Sequence, residues 1–242
     1  MTTETYQNKV KVPPTIRYWL AFLLLSFICM EAHETFHHFV GAALCGGFGT
    51  MTLSVYEPKP NCFLDPVITL SGPFFTFALA WFGAYLLTKN RQPLFAYTLI
   101  FASFAHLRFP LPLNHSGDEW YVVRTNFEYL KGSFPAQLFL AILLFLLALP
   151  PLVLAFRSMA VKNRLPIFIA AWLLPLFPLF ALSIVDKWLF GPELNQAGFA
   201  LLGIPVVILI IDAIAILLLS VVGNRIFQQH PQINLTAKNL MK

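Results

Sequence analysis

Residues 17–43 read RYWLAFLLLSFICMEAHETFHHFVGAA, an apolar run long enough to cross a membrane, with HETFH at residues 33–37. On an α-helix, residues four apart lie on one face, so His33 and His37 can both offer an imidazole nitrogen to one tetrahedral metal. Glu34 would then lie beside that metal as the candidate general base. The run therefore predicts a membrane helix that carries two metal ligands.

Ionisable side chains at bilayer depth cost roughly 2.5 to 3.5 kcal/mol each. The same run also contains Glu31 and His38, which we expect to orient the ligands from outside the metal's own shell. A less specific interpretation is that the helix end rises into the polar interface, where its histidines are solvated. Intramembrane ionisable residues are functional by default, which favours the metal site.

The composition predicts a polytopic membrane protein. Of the 242 residues 58% are apolar and 11% charged, against about 25% charged in a soluble domain. Runs of spanning length predict an all-α bundle of six transmembrane helices, at residues 17–43, 66–87, 93–107, 134–155, 166–185 and 199–222. Residues 1–16 form a polar lead, 17–133 a three-span core with the HETFH and SGDE sequences, 134–223 three further spans, and 224–242 a polar tail.

The basic residues are scattered at the ends of the runs, which argues against nucleic-acid binding and instead reports orientation. A cytoplasmic N-terminus puts 11 Lys and Arg residues inside and 5 outside, so the positive-inside rule favours both termini in the cytoplasm. The end of the first run then lies outside. No cleavable signal peptide is evident, since the N-terminal apolar run is too long for one.

A short β-strand is predicted just after the first run. Residues 50–56, TMTLSVY, alternate polar and apolar side chains with period two, which indicates a strand, or half of a hairpin, at the membrane face. Such an edge can pair with an extended peptide. Cys45 and Cys62 flank this segment on the predicted outer side, where a disulfide is permitted, but two small apolar residues at a membrane boundary fit equally well.

A second polar concentration follows the third run, at residues 104–120, FAHLRFPLPLNHSGDEW. Span counting puts it on the same side as the end of the first run, so the two can meet. A catalytic zinc has three protein ligands, and Asp118 is the leading candidate for the third. Asp118 follows Ser-Gly and is expected to open a new helix through residues 121–123, with its carboxylate directed toward the histidines. Other candidates, as ligands, second-shell groups or substrate contacts, are His106, Asn114, His115 and Glu119. Asp65, followed by a proline, is more readily the start of a helix.

These features together resemble the site-2 protease group of intramembrane zinc metalloproteases. HETFH resembles the family's zinc-binding helix, LSGPFFTF at residues 70–77 its Ala-Gly-Pro segment, and PLPLNHSGDEW at residues 110–120 the region that supplies an aspartate ligand. The resemblance covers roughly residues 17–130. It implies a Zn²⁺ cofactor held by His33, His37 and Asp118, with Glu34 as the base, and hydrolysis of a membrane-protein substrate within the lipid bilayer.

The chain also departs from the family's pattern. Phe36 stands where the family usually has glycine, Asp118 lies six residues beyond Pro112, and no PDZ-like insertion is present. The family commonly opens its site toward the cytosol, whereas the charge distribution here favours the outside.

Gly72-Pro73 predicts a close helix contact, or else simply marks a helix start. We expect a location in a bacterial cytoplasmic membrane; the oligomeric state is left open.

Two other functions are compatible with the residues. The chain can be a zinc-binding membrane scaffold that regulates a partner without cutting it. It can also be a transporter whose His and Glu side chains line an ion path, although the ionisable residues gather near one side rather than at the midplane.

Asp212, in the last run, is a distal ligand, a proton relay or a carboxylate paired with a neighbouring hydroxyl.

Overall fold

The structure is a computed structural model that describes residues 10–53, 56–57, 62–160, 164–189 and 200–227. The helices are α1 (Ile16–Cys45), α2 (Asp65–Thr88), α3 (Pro93–Ala102), α4 (Asp118–Asn126), α5 (Phe134–Ser158), α6 (Arg164–Leu173), α7 (Leu176–Leu189) and α8 (Val206–Phe227). The strands are β1 (Thr50–Met51), β2 (Tyr56–Glu57), β3 (Ala200–Leu201) and β4 (Ile204–Pro205). Within these residues, six helical segments are long and apolar enough to cross a membrane, which confirms the all-α bundle.

Helix α1 is the centre of the bundle and packs against α2, α3 and α8. Its start is capped by the Thr15 side chain, which accepts a hydrogen bond from the Tyr18 backbone N–H, and its end by Gly46 with a φ of 65°. At 30 residues, α1 is about 45 Å long. Tyr18 and Phe22 anchor its first half in one apolar cluster, and Leu25 and Cys29 anchor its middle in a second.

The third membrane-spanning segment, or third crossing, is not one continuous helix. The predicted span 93–107 was therefore wrong in its extent. Helix α3 ends at Ala102, and residues 103–117 contain only single 3-10 turns before α4 begins at Asp118. Phe104 has a φ of 63°, and Pro110 and Pro112 lack the N–H groups that a continuing helix would use. The apolar segment therefore continues through α4 to Asn126, and α4 begins at Asp118, which confirms the helix start predicted there.

The irregular stretch is accommodated because it is covered by protein. Its 3-10 turns contact α2, α3 and α5, and Ala105 and His106 are fully buried. Non-helical backbone at membrane depth is tolerated where it is enclosed by protein or lines a cavity. The break therefore brings polar side chains of the third crossing to the level of the α1 histidines.

The segment after α1 is a hairpin rather than one strand over residues 50–56. Strands β1 and β2 pair antiparallel, with Met51 opposite Tyr56, and residues 54–55 lie outside the described part. Cys45 and Cys62 form a disulfide with their Cα atoms 5.6 Å apart. The bond joins the end of α1 to the segment just before α2, across the base of this hairpin. Of the two interpretations of the cysteines, the disulfide is therefore the one seen.

A second hairpin, β3–β4, precedes α8, which therefore begins at Val206 and not at residue 199. Its two-residue turn, Leu202–Gly203, has positive φ at both positions, the conformation of a type I′ turn.

The polar lead also differs from the prediction, because Val10 and Val12 are buried and the Val10 N–H donates to Ser158 O at the end of α5. Residues 1–9 and most of the predicted tail, residues 228–242, lie outside the described residues.

Candidate metal centre

Helix α1 presents His33 and His37 on one buried face toward α2. Their side chains are 9% and 5% exposed, and their Nε2 atoms lie 3.1 Å apart. Both rings therefore point one nitrogen at the same small volume. This is the local consequence of the four-residue spacing.

Gly72 of α2 allows this approach. A methyl group there would lie 2.7 Å from Cε1 of His33 and 2.6 Å from Cε1 of His37, and closer still to His37 Nε2. Carbon atoms in contact are normally about 3.5 to 4.0 Å apart, so only glycine fits. Helix α2 begins at Asp65, eight residues before Pro73, which confirms that the Gly-Pro pair is a close packing site and not a helix start.

Phe36 does not obstruct this packing. Its ring stacks on Phe75 of α2, with centroids 4.9 Å apart and planes 20° apart. The close contact thus comes from the glycine on α2, and the bulky residue on α1 lies beside it.

Asp118 completes a triangle with the two imidazoles. Its Oδ2 lies 3.2 Å from His33 Nε2 and 3.8 Å from His37 Nε2. A circle through three atoms with these separations has a radius of about 2.0 Å, close to the roughly 2.0 to 2.2 Å of zinc–nitrogen and zinc–oxygen bonds. One ion can therefore bond to all three atoms, and the group has the composition and spacing to hold a metal.

The other ring nitrogens are fixed by α2. His37 Nδ1 lies 2.8 Å from the carbonyl oxygen of Ile68, which can only accept, so Nδ1 carries the proton and Nε2 keeps its lone pair. His33 Nδ1 lies 2.8 Å from the Thr76 hydroxyl. Metal-binding histidines are held in this manner, with the second nitrogen bonded to a neighbouring group. Thr76 and Ile68 could not be identified from the sequence, since neither is close to the motif in the chain.

Glu34 follows His33 directly in α1 and is half-buried. It is close enough to His37 to interact with that ring electrostatically. The Glu34 carboxylate therefore lies next to His33 and His37 but is not one of the three groups that could hold the metal.

Glu119 and Arg108 lie behind Asp118. Arg108 donates through Nε to Glu119 Oε1 at 2.6 Å and through Nη2 to Asp118 Oδ2 at 2.5 Å. Glu119 therefore binds an arginine and is not a ligand of the triangle. Arg108 is one of the five basic residues that the charge count places outside, and its pairing with Asp118 and Glu119 was not predicted; its position ten and eleven residues before these two carboxylates was the available signal.

The remaining candidates are not in the triangle. His38 Nε2 donates to Leu202 O at 2.7 Å, His106 Nε2 to Trp172 O at 2.9 Å, and His115 Nδ1 accepts from Gln137 at 2.8 Å. Three further groups lie elsewhere: Asn114 is exposed near Pro110 O, Glu31 is buried in α1, and Asp65 begins α2 and accepts from Thr69.

Asp212 lies in α8 outside the metal group. Its Oδ1 is buried and has no hydrogen-bond partner within the described residues. The hydroxyl pairing considered from the sequence is therefore not seen for that atom.

The β1–β2 hairpin lies against the ligand helix. Tyr56 stacks on His37 with centroids 6.1 Å apart and planes 7° apart, and its ring occupies the space that a side chain at Gly41 would need. Burial, together with the nearby Asp65 charge, raises the pKa of the Tyr56 hydroxyl. On the other strand, the Met51 N–H donates to Gly203 O of the β3–β4 turn at 3.2 Å, so part of β1's outer edge is already taken.

Comparison with protein-family models, with curated proteins and with solved structures found no match to this chain.

Proposed function

We propose that the chain is an intramembrane zinc metalloprotease of the site-2 protease type, which hydrolyses a peptide bond in or near a transmembrane segment of another protein. The observation that carries the proposal is the triangle of His33, His37 and Asp118 side-chain atoms, with edges of 3.1 to 3.8 Å, beside Glu34. Two histidines and one aspartate supply the three protein ligands of a catalytic zinc site, and the neighbouring glutamate supplies its general base.

The three candidate ligands support the choice of zinc as the metal and leave room for a bound water. Nitrogen and carboxylate donors in a three-ligand set suit zinc and leave its fourth position for water. When bound, zinc polarises the scissile carbonyl and brings the pKa of its water to about 7. The Asp118 side chain is 32% exposed while the histidine side chains are below 10%, so the aspartate side is the open approach to the centre.

Glu34 is the proton carrier in this proposal. Its carboxylate takes a proton from the attacking water and later gives it to the leaving amine, as a general base and then a general acid. Its position next to the ligand pair supports this role, because proton transfer requires the base to be within hydrogen-bond reach of the water.

The site lies below the helix ends. His37 is eight residues before Cys45, the end of α1, a distance of about 12 Å along the helix axis. A substrate helix must therefore unwind to expose a bond at this depth. An extended segment can pair with the edge of a strand, and because Gly203 occupies part of β1, we assign the substrate edge to β2, which carries Tyr56 against His37.

The alternative of a catalytically inactive zinc-binding scaffold is favoured by one observation. Asp118 Oδ2 already accepts from Arg108 and contacts His33, so the ligand group can serve as a purely structural ionic cluster. The two functions separate at Glu34, because a scaffold has no need of a general base. In either case the protein is a multi-pass membrane protein, and we propose the bacterial cytoplasmic membrane as its location.

The test is proteolysis by purified full-length protein in liposomes, with a single-span reporter whose transmembrane helix contains a helix-breaking pair. Glu34→Gln should retain zinc and lose cleavage by a factor of 10² or more, the order that general-base removal gives. The matched control is Glu128→Gln, an exposed glutamate in the 3-10 turn after α4. If Glu34→Gln cleaves at the native rate, the proteolytic role of Glu34 is wrong; if zinc binds but no reporter is cut, the scaffold function is supported.

A further inference from the structure

Arg108 is buried in the break of the third crossing. It follows the 3-10 turn Ala105–Leu107 and is 8% exposed. A buried guanidinium persists only when charged or hydrogen-bonding partners compensate its lost hydration. The groups that pair with the Arg108 guanidinium therefore indicate its role in this part of the bundle.

The guanidinium has two carboxylate partners with different geometries. It binds Glu119 through two parallel hydrogen bonds, Nε to Oε1 at 2.6 Å and Nη2 to Oε2 at 3.0 Å. This fork is the arrangement that fixes an arginine's orientation most firmly. The same Nη2 also donates to Asp118 Oδ2 at 2.5 Å.

The Asp118 oxygen that Arg108 contacts is the one that faces the histidines. Oδ2 lies 3.2 Å from His33 Nε2 and 3.8 Å from His37 Nε2. A carboxylate oxygen has two lone-pair directions. With one of them on Arg108, the other remains for a metal, so Asp118 would bind through a single oxygen.

We infer that Arg108 is a positioning residue for the metal centre: held by Glu119, it fixes Asp118 Oδ2 as a monodentate ligand at the distance the two histidines require. This inference rests on the proposed metal centre and goes beyond it, because neither Arg108 nor Glu119 belongs to the ligand set. Outer groups that orient a ligand typically change metal affinity ten- to a hundredfold when they are altered.

Charge explains why Glu119 is part of the arrangement. Arg108 alone would place a positive charge next to a dication, which would weaken metal binding. Counted by formal charge, Arg108, Asp118 and Glu119 sum to −1, and Glu34 contributes a further formal negative charge beside the ligand pair. Two negative charges in total match a divalent ion. Lysine cannot replace the arginine, since its ammonium lacks the planar fork.

The experiment measures zinc affinity of the purified full-length protein by competition with a chromophoric chelator. Arg108→Lys should weaken zinc binding by about ten- to a hundredfold. Its control is Arg124→Lys, an exposed arginine of α4 that lies over the Tyr121 ring; this variant should stay within about twofold of the native affinity, as surface substitutions do. The cobalt-substituted protein provides a second readout. In Arg108→Lys its absorption should weaken, because a carboxylate released from the arginine can bind through both oxygens and raise the coordination number.

If Arg108→Lys does not fold, Glu119→Gln tests the same point, because it loosens the fork without removing the arginine; Glu128→Gln is its control. A folded variant of either kind that binds zinc within about twofold of the native protein, with the native cobalt spectrum, overturns the role of Arg108. Failure of the metal centre itself is distinguishable, since the native protein would then bind no zinc.

Discussion

Replacing Gly72 with alanine should damage the metal centre, although the substitution favours helix formation. Away from tight contacts, Gly→Ala in a helix stabilises by roughly 0.5 to 1 kcal/mol. At Gly72 the new methyl group would lie 2.6 Å from His37 Cε1 and 2.7 Å from His33 Cε1. To restore an ordinary contact of about 3.5 Å, the rings or α2 must move by roughly 1 Å.

The displacement is large compared with what a metal site tolerates. Metal–ligand distances vary by only about 0.2 Å in a well-formed site, so a shift of about 1 Å breaks the match between the two imidazoles and Asp118. Overpacking of this kind costs about 1 to 3 kcal/mol, which exceeds the helix-propensity gain. We therefore expect Gly72→Ala to lower both the melting temperature and the zinc affinity, the latter at least tenfold.

The assay is zinc stoichiometry and chelator competition on the purified variant, together with thermal unfolding. Gly223→Ala in α8 is the matched control, because the atoms nearest to its methyl group belong to movable side chains of the same helix, Phe227 and Leu219, at 3.2 to 3.3 Å. That variant should keep native zinc affinity. Native affinity and unchanged stability in Gly72→Ala would refute the close-packing account of the site.

Three further predictions follow from particular contacts. Thr76→Val removes the hydroxyl bonded to a ligand imidazole, so zinc affinity should fall about tenfold in chelator competition, whereas Thr88→Val at the exposed end of α2 should not change it. Replacing Cys45 and Cys62 with serine opens a loop of 17 residues and should cost up to about 3 kcal/mol in denaturant unfolding; an intact mass that does not change on reduction of the native protein would contradict the bond. His38→Phe removes the bond to the β3–β4 turn and should cost about 1 kcal/mol with zinc affinity unchanged; a large loss of affinity would show that His38 supports the ligands.

The parts of the structure that sequence could predict are local. Long apolar runs define five of the six crossings, because a helix satisfies its own backbone within one segment. The pair His33 and His37 is fixed by helical periodicity alone. Asp118 could be predicted as the third ligand by counting spans, because the count places its polar stretch and the end of the first span on the same side of the membrane.

The parts that could not be predicted depend on contacts distant in the chain. The break after Ala102 falls inside the predicted span 93–107, and Pro110 and Pro112 beyond it also fit a simple loop. The fork between Arg108 and Glu119 spans the irregular segment between α3 and α4, and no periodic pattern predicts it. The bond between His38 and Leu202 joins residues 164 positions apart, and no local pattern marks it.

The most direct test of the metal centre is X-ray absorption at the zinc edge of the purified protein loaded with zinc. If the proposed centre holds zinc, we expect one zinc per chain bound by two imidazoles and oxygen donors at about 2.0 to 2.2 Å, and loss of this signal in the His33→Ala and Asp118→Ala variants. A native protein that binds no stoichiometric zinc, or a first shell that is unchanged in those variants, would contradict the assignment of His33, His37 and Asp118 as the metal site.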